Sequence, residues 1–348
     1  MKKINITKPL IGICVSNEKP MMVKLAKRRI VSFDENAQLI TFMINDADFK
    51  NLRVKGEAWN KEDQEWIQGR FPFPDVIYIQ APLPLHTINK MKQITGHRVF
   101  NSFVFDKWEG WELLASDKEV KKHLPETKKL LNKRDLKKFL FRHKEVFLKP
   151  INGSTSKGIV RIKLDDQKGI EAFYRIKKTI MKHDRFPNFI NFWKWFSNKF
   201  FNEKYLMQQS IQPFKWRNKP TDIRINLTKN KDGKWEEALS LLRVASNDSH
   251  IIPGLLTAFP LQYFNTTYKN LGKDLEWIEP AAKELGYKIC KALDNSGHHI
   301  GDIGIDMGLD EQKNLWVYEV NSLPFPLPGV KDVSMTRPLE YAQYLASN

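Results

Sequence analysis

Cysteine is nearly absent, with Cys14 and Cys290 the only two in 348 residues. Two cysteines cannot make a disulfide framework or a metal site by themselves, so a reducing cytoplasm is the expected compartment. Long apolar runs are missing as well. The start, MKKINITKPLIGICVSN, carries lysines but no apolar stretch of signal-peptide length. Nothing approaches the roughly 18–20 apolar residues of a membrane span. No internal repeat or low-complexity tract occurs, and no zinc-finger, RRM or other nucleic-acid motif is present.

Positive charge is what abounds: 57 Lys and Arg against 40 Asp and Glu leave a net +17. Such an excess steers a protein toward polyanions or small anionic ligands, or simply keeps its surface solvated. Much of it lies in KEVKKHLPETKKLLNKRDLKKFLFRHK, where lysines and leucines alternate with helical period. Without a recognition motif, nucleic acid is the weakest of these partners.

The length exceeds one ordinary core, and an α/β (α+β) chain of three units is expected. Residues 1–100 alternate short apolar runs with polar linkers, as in LIGICVS, LITFMI and PDVIYIQ, which suits a small α/β domain. Residues 101–207 form a central lobe, in which EVFLKPINGSTSKGIVRIKL reads as strand, glycine-containing loop, strand. The aromatic-rich stretch 171–204 reads as helix. Residues 208–348 form a C-terminal lobe, with strands at DIRINLTK and WEEALSLLRVAS joined through NKDG. An amphipathic helix ending at Gly297 follows, then a last hairpin, HHIGDIGIDMGLD and NLWVYEVNS.

That hairpin carries the chemistry. Side chains alternate along a strand, so Glu319 and Asn321 face one way. If the hairpin closes around residues 310–314, Asp306 falls opposite Glu319. Two carboxylates and an amide oxygen are hard ligands of the kind Mg²⁺ prefers, with water and phosphate oxygens filling its remaining positions. The bland alternative is a pair of exposed carboxylates at a strand end. Lys149 lies on a strand just before the loop Gly153, Ser154, Thr155, Ser156, Lys157, Gly158. A lysine and a loop of backbone N–H groups suit a triphosphate, and glycine permits close approach. Arg224 and Arg243 are either strand-edge arginines paired with surface acids or an anion clamp. Asp222 shares the face of Arg224 and would orient it. His298 and His299 lack a third ligand at suitable spacing and are taken as structural. No His–Asp partnership accompanies the loop hydroxyls, so they suit phosphate binding better than nucleophilic attack.

In order, FPFPDVIYIQ, FDKWEGWELL, LPET, VFLKPINGSTSKGIVRI, DIRINL and GIDMGLDEQKNLWVYEVNSLP resemble the YheC/YheD family of endospore coat-associated proteins, within the ATP-grasp superfamily. The resemblance covers residues 60–325 well. It implies an ATP-grasp fold with two lobes enclosing the nucleotide, behind an N-terminal pre-ATP-grasp-like domain. It further implies that Lys107 and Lys149 meet ATP phosphates and that the flap from Gly153 to Gly158 closes over them. The backbone of Gln208, Gln209, Ser210 and Ile211 would meet adenine. Asp306, Glu319 and Asn321 would hold Mg²⁺ or Mn²⁺, while Arg224 and Arg243 would face the phosphoryl group or the acceptor carboxylate.

The implied activity is an ATP-dependent carboxylate–amine (or thiol) ligase working through an acylphosphate, linked to the spore coat or to peptide modification. The competing implication is a non-catalytic nucleotide-binding protein of the spore surface. A carboxylate and an amine, neither identified, are the expected substrates, with a spore-coat or peptide partner. Two departures from the family pattern stand out. Gly304 occupies the place, two before the metal Asp, where many ATP-grasp ligases carry an arginine, so Arg224 or Arg243 must supply that charge. IIPGLLTAFPL at 251–261 replaces a glycine-rich polar segment.

Overall fold

The structure is a computed structural model. It describes residues 9–34, 37–153, 157–165, 167–177, 180–201, 204–216, 218–245, 263–266, 276–326 and 333–348. Three sheets follow one another along the chain.

The first sheet contains β1 (Leu10–Val15), β2 (Gln38–Asp48), β3 (Arg53–Asn60), β4 (Glu65–Pro72), β5 (Val76–Ile79) and β6 (Val99–Phe100), in the order β4-β3-β2-β1-β5-β6. β2, β1, β5 and β6 run parallel, while β3 and β4 form an antiparallel edge. β1 and β5 are buried along their whole length, as expected of central parallel strands covered on both faces. The covering helices on this stretch are α1 (Pro20–Val31) and α2 (Leu85–Thr95).

Two short helices, α3 (Lys107–Ala115) and α4 (Lys118–Lys121), lead into the second sheet. Asp106 caps α3 in a reciprocal box with Glu109, which satisfies the orphan amides of the first turn. The second sheet is built from β7 (Thr127–Lys129), β8 (Glu145–Pro150), β9 (Val160–Asp165), β10 (Gly169–Lys177), β11 (Ile180–Phe186) and β12 (Tyr205–Gln209). Its order is β11-β10-β9-β8-β12-β7, and α5 (Lys133–His143) and α6 (Phe189–Lys199) pack behind it.

Residues 171–186 correct the sequence reading. Residues 171–177 and 180–186 lie in the antiparallel pair β10 and β11, and helix begins only at Phe189. The aromatic spacing imitates a helix, but the chain alternates: Ala172 and Tyr174 are buried in the core shared with α6, while Glu171 and Phe173 face the opposite side.

The third sheet follows the two-residue strand β13 (Lys215–Trp216). It comprises β14 (Lys219–Lys229), β15 (Trp235–Ala245), β16 (Tyr263–Thr266), β17 (Asp302–Leu309) and β18 (Leu315–Asn321), ordered β16-β15-β14-β17-β18. On one face, Ile223, Ile225 and Leu227 pack against α7 (Ile278–Asp294) and against Leu114 and Val120 of the earlier short helices. The other face of β14 is polar along its length. α8 (Arg337–Ser347) returns to the first sheet, burying Leu339, Tyr341, Ala342 and Leu345 against Ile11, Val76 and Tyr78.

Candidate functional site

The polar face of the third sheet follows from strand periodicity. Asp222, Arg224, Asn226 and Thr228 alternate with Ile223, Ile225 and Leu227, so all four project from one side of β14. Register then sets Arg224 opposite Asp306, and Asp222 opposite Arg243. Asp306 Oδ1 accepts from Arg224 Nη1 and from Arg243 Nη2, each at 2.9 Å. Arg243 also grips Asp222 through two donors, Nε at 2.5 Å and Nη2 at 2.6 Å. The sequence reading made Asp222 the orienter of Arg224. The structure gives it to Arg243, because the neighbour across the ladder is closer than the neighbour two residues away.

Arg224 is steered from elsewhere: its Nε donates to Asn226 Oδ1 at 2.8 Å. Gly304 lies beneath its guanidinium, and a Cβ there would sit 2.2 Å from Nη2. An arginine from β14 therefore fills the space above the glycine of β17.

The last hairpin pairs Asp306 with Glu319 and Gly304 with Asn321. A bulge leaves Tyr318 as the extra residue on β18, its ring lying over Gly308. Asn321 Nδ2 reaches Asp306 Oδ2 at 3.4 Å. Lys107 Nζ stands 3.3 Å from Glu319 Oε1 and donates to the Gly153 carbonyl. Lys149 donates to Gln208 Oε1, and Gln208 in turn donates to Thr127 Oγ1 at 3.0 Å.

Charge follows this geometry. Burial pushes the Asp306 carboxyl up, but Arg224 and Arg243 outweigh it and hold the pKa below the usual range. At Asp222 burial prevails against Arg243 and the pKa rises. Burial brings Lys149 down to about 8, with Glu319 resisting and Lys107 assisting.

Asp222, Arg224, Arg243, Asp306, Glu319, Asn321, Lys107, Lys149 and Gln208 line one cleft of about 1080 Å³ between the second and third sheets. A family profile described as YheC/D like ATP-grasp matches residues 96–345. The chain belongs to the YheC/D-like ATP-grasp family. It is 25% identical over 363 residues to the endospore coat-associated protein YheD of Bacillus subtilis (strain 168), covering 97% of this chain and 79% of that one. To YheC of the same organism it is 24% identical over 359 residues, covering 98% and 96%. Among solved structures, the D-alanyl-alanine synthetase A of Vibrio cholerae superimposes with a TM-score of 0.56 at 13% identity, covering 99% of both chains. The fold is that of the ATP-grasp ligases.

In this ATP-grasp chain, Lys107, Lys149, Gly153, Gln208, Gln209, Ser210, Ile211, Arg224, Arg243, Asp306, Glu319 and Asn321 all line the cleft. Gly158 stands behind it with φ +76°, a conformation favouring glycine, where a Cβ would press on Pro150. Ser154, Thr155 and Ser156 lie outside the described residues, as does the segment 251–261. At the stretch expected to meet adenine, Gln209 N donates to the Glu126 carbonyl and Ser210 N to that of Glu145. His298 stacks on Phe103, and His299 bridges the His97 carbonyl and Tyr341 OH. Both stand apart from the cleft lining.

Several lining groups escaped the sequence reading, Glu145, Arg161 and Lys19 among them. Glu145 accepts from Arg161 at 2.9 Å and from Ser210 Oγ at 2.7 Å, and Arg161 lies 4.4 Å from the Phe173 ring centre. The alternation Glu145, Phe147, Lys149 was the available signal, since all three project to one side of β8. Lys19 comes from the first sheet's β1–α1 corner and had no local signature at all.

A hard cation fits the corner of Asp306, Glu319 and Asn321. Among the described residues no three His, Cys, Asp or Glu gather, so the donor set is two carboxylates and a carboxamide. The carboxylates face one another with three cationic side chains balancing them, which is the arrangement such an ion would share. The Asn321 amide presents its oxygen after a simple flip, as oxygen and nitrogen are interchangeable in placement.

Proposed function

We propose that this chain is an ATP- and Mg²⁺-dependent ligase that activates a carboxylate as an acylphosphate and joins it to an amine. The observation that carries this is the meeting, in one cleft, of Asp306, Glu319 and Asn321 with Arg224, Arg243, Lys107 and Lys149. An unactivated carboxylate reacts poorly with an amine. Transfer of the γ-phosphoryl group to a carboxylate oxygen, with ADP leaving, creates a good leaving group. The amine then attacks the acyl carbon and inorganic phosphate departs.

Phosphoryl transfer asks little covalent work of the protein and much positioning and positive charge. Lys107 and Lys149 would hold phosphate oxygens, with Lys149 leaving Gln208 for them. Arg224 and Arg243 would neutralise charge on the equatorial oxygens, and Asp222 keeps Arg243 aimed. Asp306, Glu319 and Asn321 would hold Mg²⁺, which supplies charge neutralisation between the phosphates. Gln208, Gln209, Ser210 and Ile211 would border the base, and the loop from Gly153 to Gly158 would cover the triphosphate.

Full-length protein supplied with MgATP, pooled carboxylates and hydroxylamine should release ADP and form hydroxamate. Glu319→Gln should lower that rate by at least about 100-fold, the scale of losing one electrostatic element of a phosphoryl-transfer site. Equal rates in the two proteins would defeat the reading. An association with the spore coat is proposed on the names of YheD and YheC, and fractionation of sporulating cells tests it. No helix among the described residues is long and apolar enough to cross a membrane.

A further inference from the structure

Resting on the ligase reading, the charge lining the cleft points to the class of its acceptor. Nine cationic and six anionic side chains line it among the described residues. All six anions are engaged. Asp106 caps α3, Asp222 and Asp306 hold the two arginines, and Glu319 faces Lys107. Glu145 holds Arg161, and Glu171 is held by Arg185 and His183. Apart from the Asp306–Glu319 corner assigned to the metal and Asp106, which only caps α3, every lining carboxylate among the described residues already holds a cationic side chain.

The cations are in surplus. Lys19, Lys157 and Lys215 are exposed in the cleft and make no ion pair among the described residues. Lys19 has a particular place. With Pro82 it is the first domain's whole contribution to the described lining. Partial desolvation, then the positive charge of Lys107, hold its pKa below the usual lysine value. Its charge is thereby felt by the lysine that faces Glu319.

MgATP would bring a formal charge of about −2 to the phosphate end, already served by Lys107, Lys149 and the arginines. A zwitterionic free amino acid would then carry its ammonium among a surplus of lysines, where the described lining offers it only the capping Asp106. Such like-charge placement opposes binding, whereas a second anionic group would find Lys19.

We infer that the acceptor is a net-anionic carboxylate, such as an acidic peptide with a blocked amino end, and that Lys19 of the first domain binds it. Lys19 is thus a specificity-determining contact, separate from the groups that hold nucleotide.

The test uses the full chain saturated with a non-hydrolysable ATP analogue and Mg²⁺, with N-acetyl-Glu-Glu and Ala-Ala as calorimetric probes. N-acetyl-Glu-Glu should bind at least about tenfold more tightly than Ala-Ala, corresponding to about 1.4 kcal/mol. Lys19→Glu should weaken N-acetyl-Glu-Glu by at least about tenfold, Lys19→Arg should largely retain it, and both should leave the analogue's own affinity within about twofold. Tighter binding of Ala-Ala, binding of neither dipeptide, or an unchanged diacid affinity in Lys19→Glu would overturn the inference. Absence of analogue binding by the unaltered protein would instead overturn the ligase reading beneath it.

Discussion

Lys149 is a titrating side chain of the cleft. Its pKa near 8 means it is largely protonated at pH 7 and largely neutral at pH 9. A neutral amine cannot hold phosphate charge, so MgATP affinity should fall as pH rises through about 8. The limiting slope is tenfold per pH unit until the pKa of the complex is reached. Calorimetric titration from pH 6.5 to 9.5 checks this, and Lys149→Met should bind more weakly and lose the slope. A flat profile in the unaltered protein would separate Lys149 from the phosphates. Gly304 makes a second case at this scale. Gly304→Ala would place a Cβ 2.2 Å from Arg224 Nη2, so the guanidinium must leave Asp306. Turnover should drop on the order of 10- to 100-fold, as when one transition-state donor is removed, while unfolding shifts by only about 1 kcal/mol.

Strand β14 acts as an organiser because its polar face reads out a chain of contacts. Arg224 leans on Asn226, and Asn226 Nδ2 meets Ser334 Oγ at 3.3 Å. The Ser334 and Met335 carbonyls accept from the buried Arg29 of α1. A helix beside the first sheet thereby braces an arginine of the cleft through two intermediates. Asn226→Leu should leave the KM for ATP nearly unchanged and lower kcat by about tenfold, because it disturbs orientation rather than charge. Asn226→Asp should recover most of the rate. Comparable losses in kcat and KM would mean a binding role.

Much at this scale was legible beforehand. Period-two alternation and a polar turn located the Asp306–Glu319 pairing before any coordinates, since both signals are local. The Asp222–Arg243 grip was not legible. It depends on the register of two long strands, shifted by a bulge between Asn226 and Leu227 that no residue type announces. Residues 171–186 were misread because aromatic side chains at mixed spacing satisfy a helical and a strand pattern alike. Chain order also says nothing of where α3 and α4 pack, and they complete the core of the third sheet.

For the molecule as a whole, the decisive joint is between the first and third sheets. Asp302 opens β17 fully buried, and it accepts from Tyr78 OH at 2.5 Å and Thr228 Oγ1 at 2.8 Å, with Arg29 Nη2 at 3.5 Å. Asn101 Nδ2 bridges the carbonyls of Asp302 and Ser322 at 2.8 Å each. Removing one member leaves a buried guanidinium uncompensated. Asp302→Ala should cost on the order of 3–5 kcal/mol in denaturant unfolding, and the loss should broaden the transition as the first sheet parts from the rest. A sharp transition of unchanged midpoint would make the joint dispensable.

The return of α8 has a consequence during synthesis. Its residues 337–347 plug the hydrophobic layer of a sheet whose strands were made within the first hundred residues. Until α8 has been made, that sheet keeps an open apolar side. Maturation of the first sheet is therefore tied to synthesis of α8, and nascent chains halted before residue 337 should be the ones chaperones hold and proteases cut.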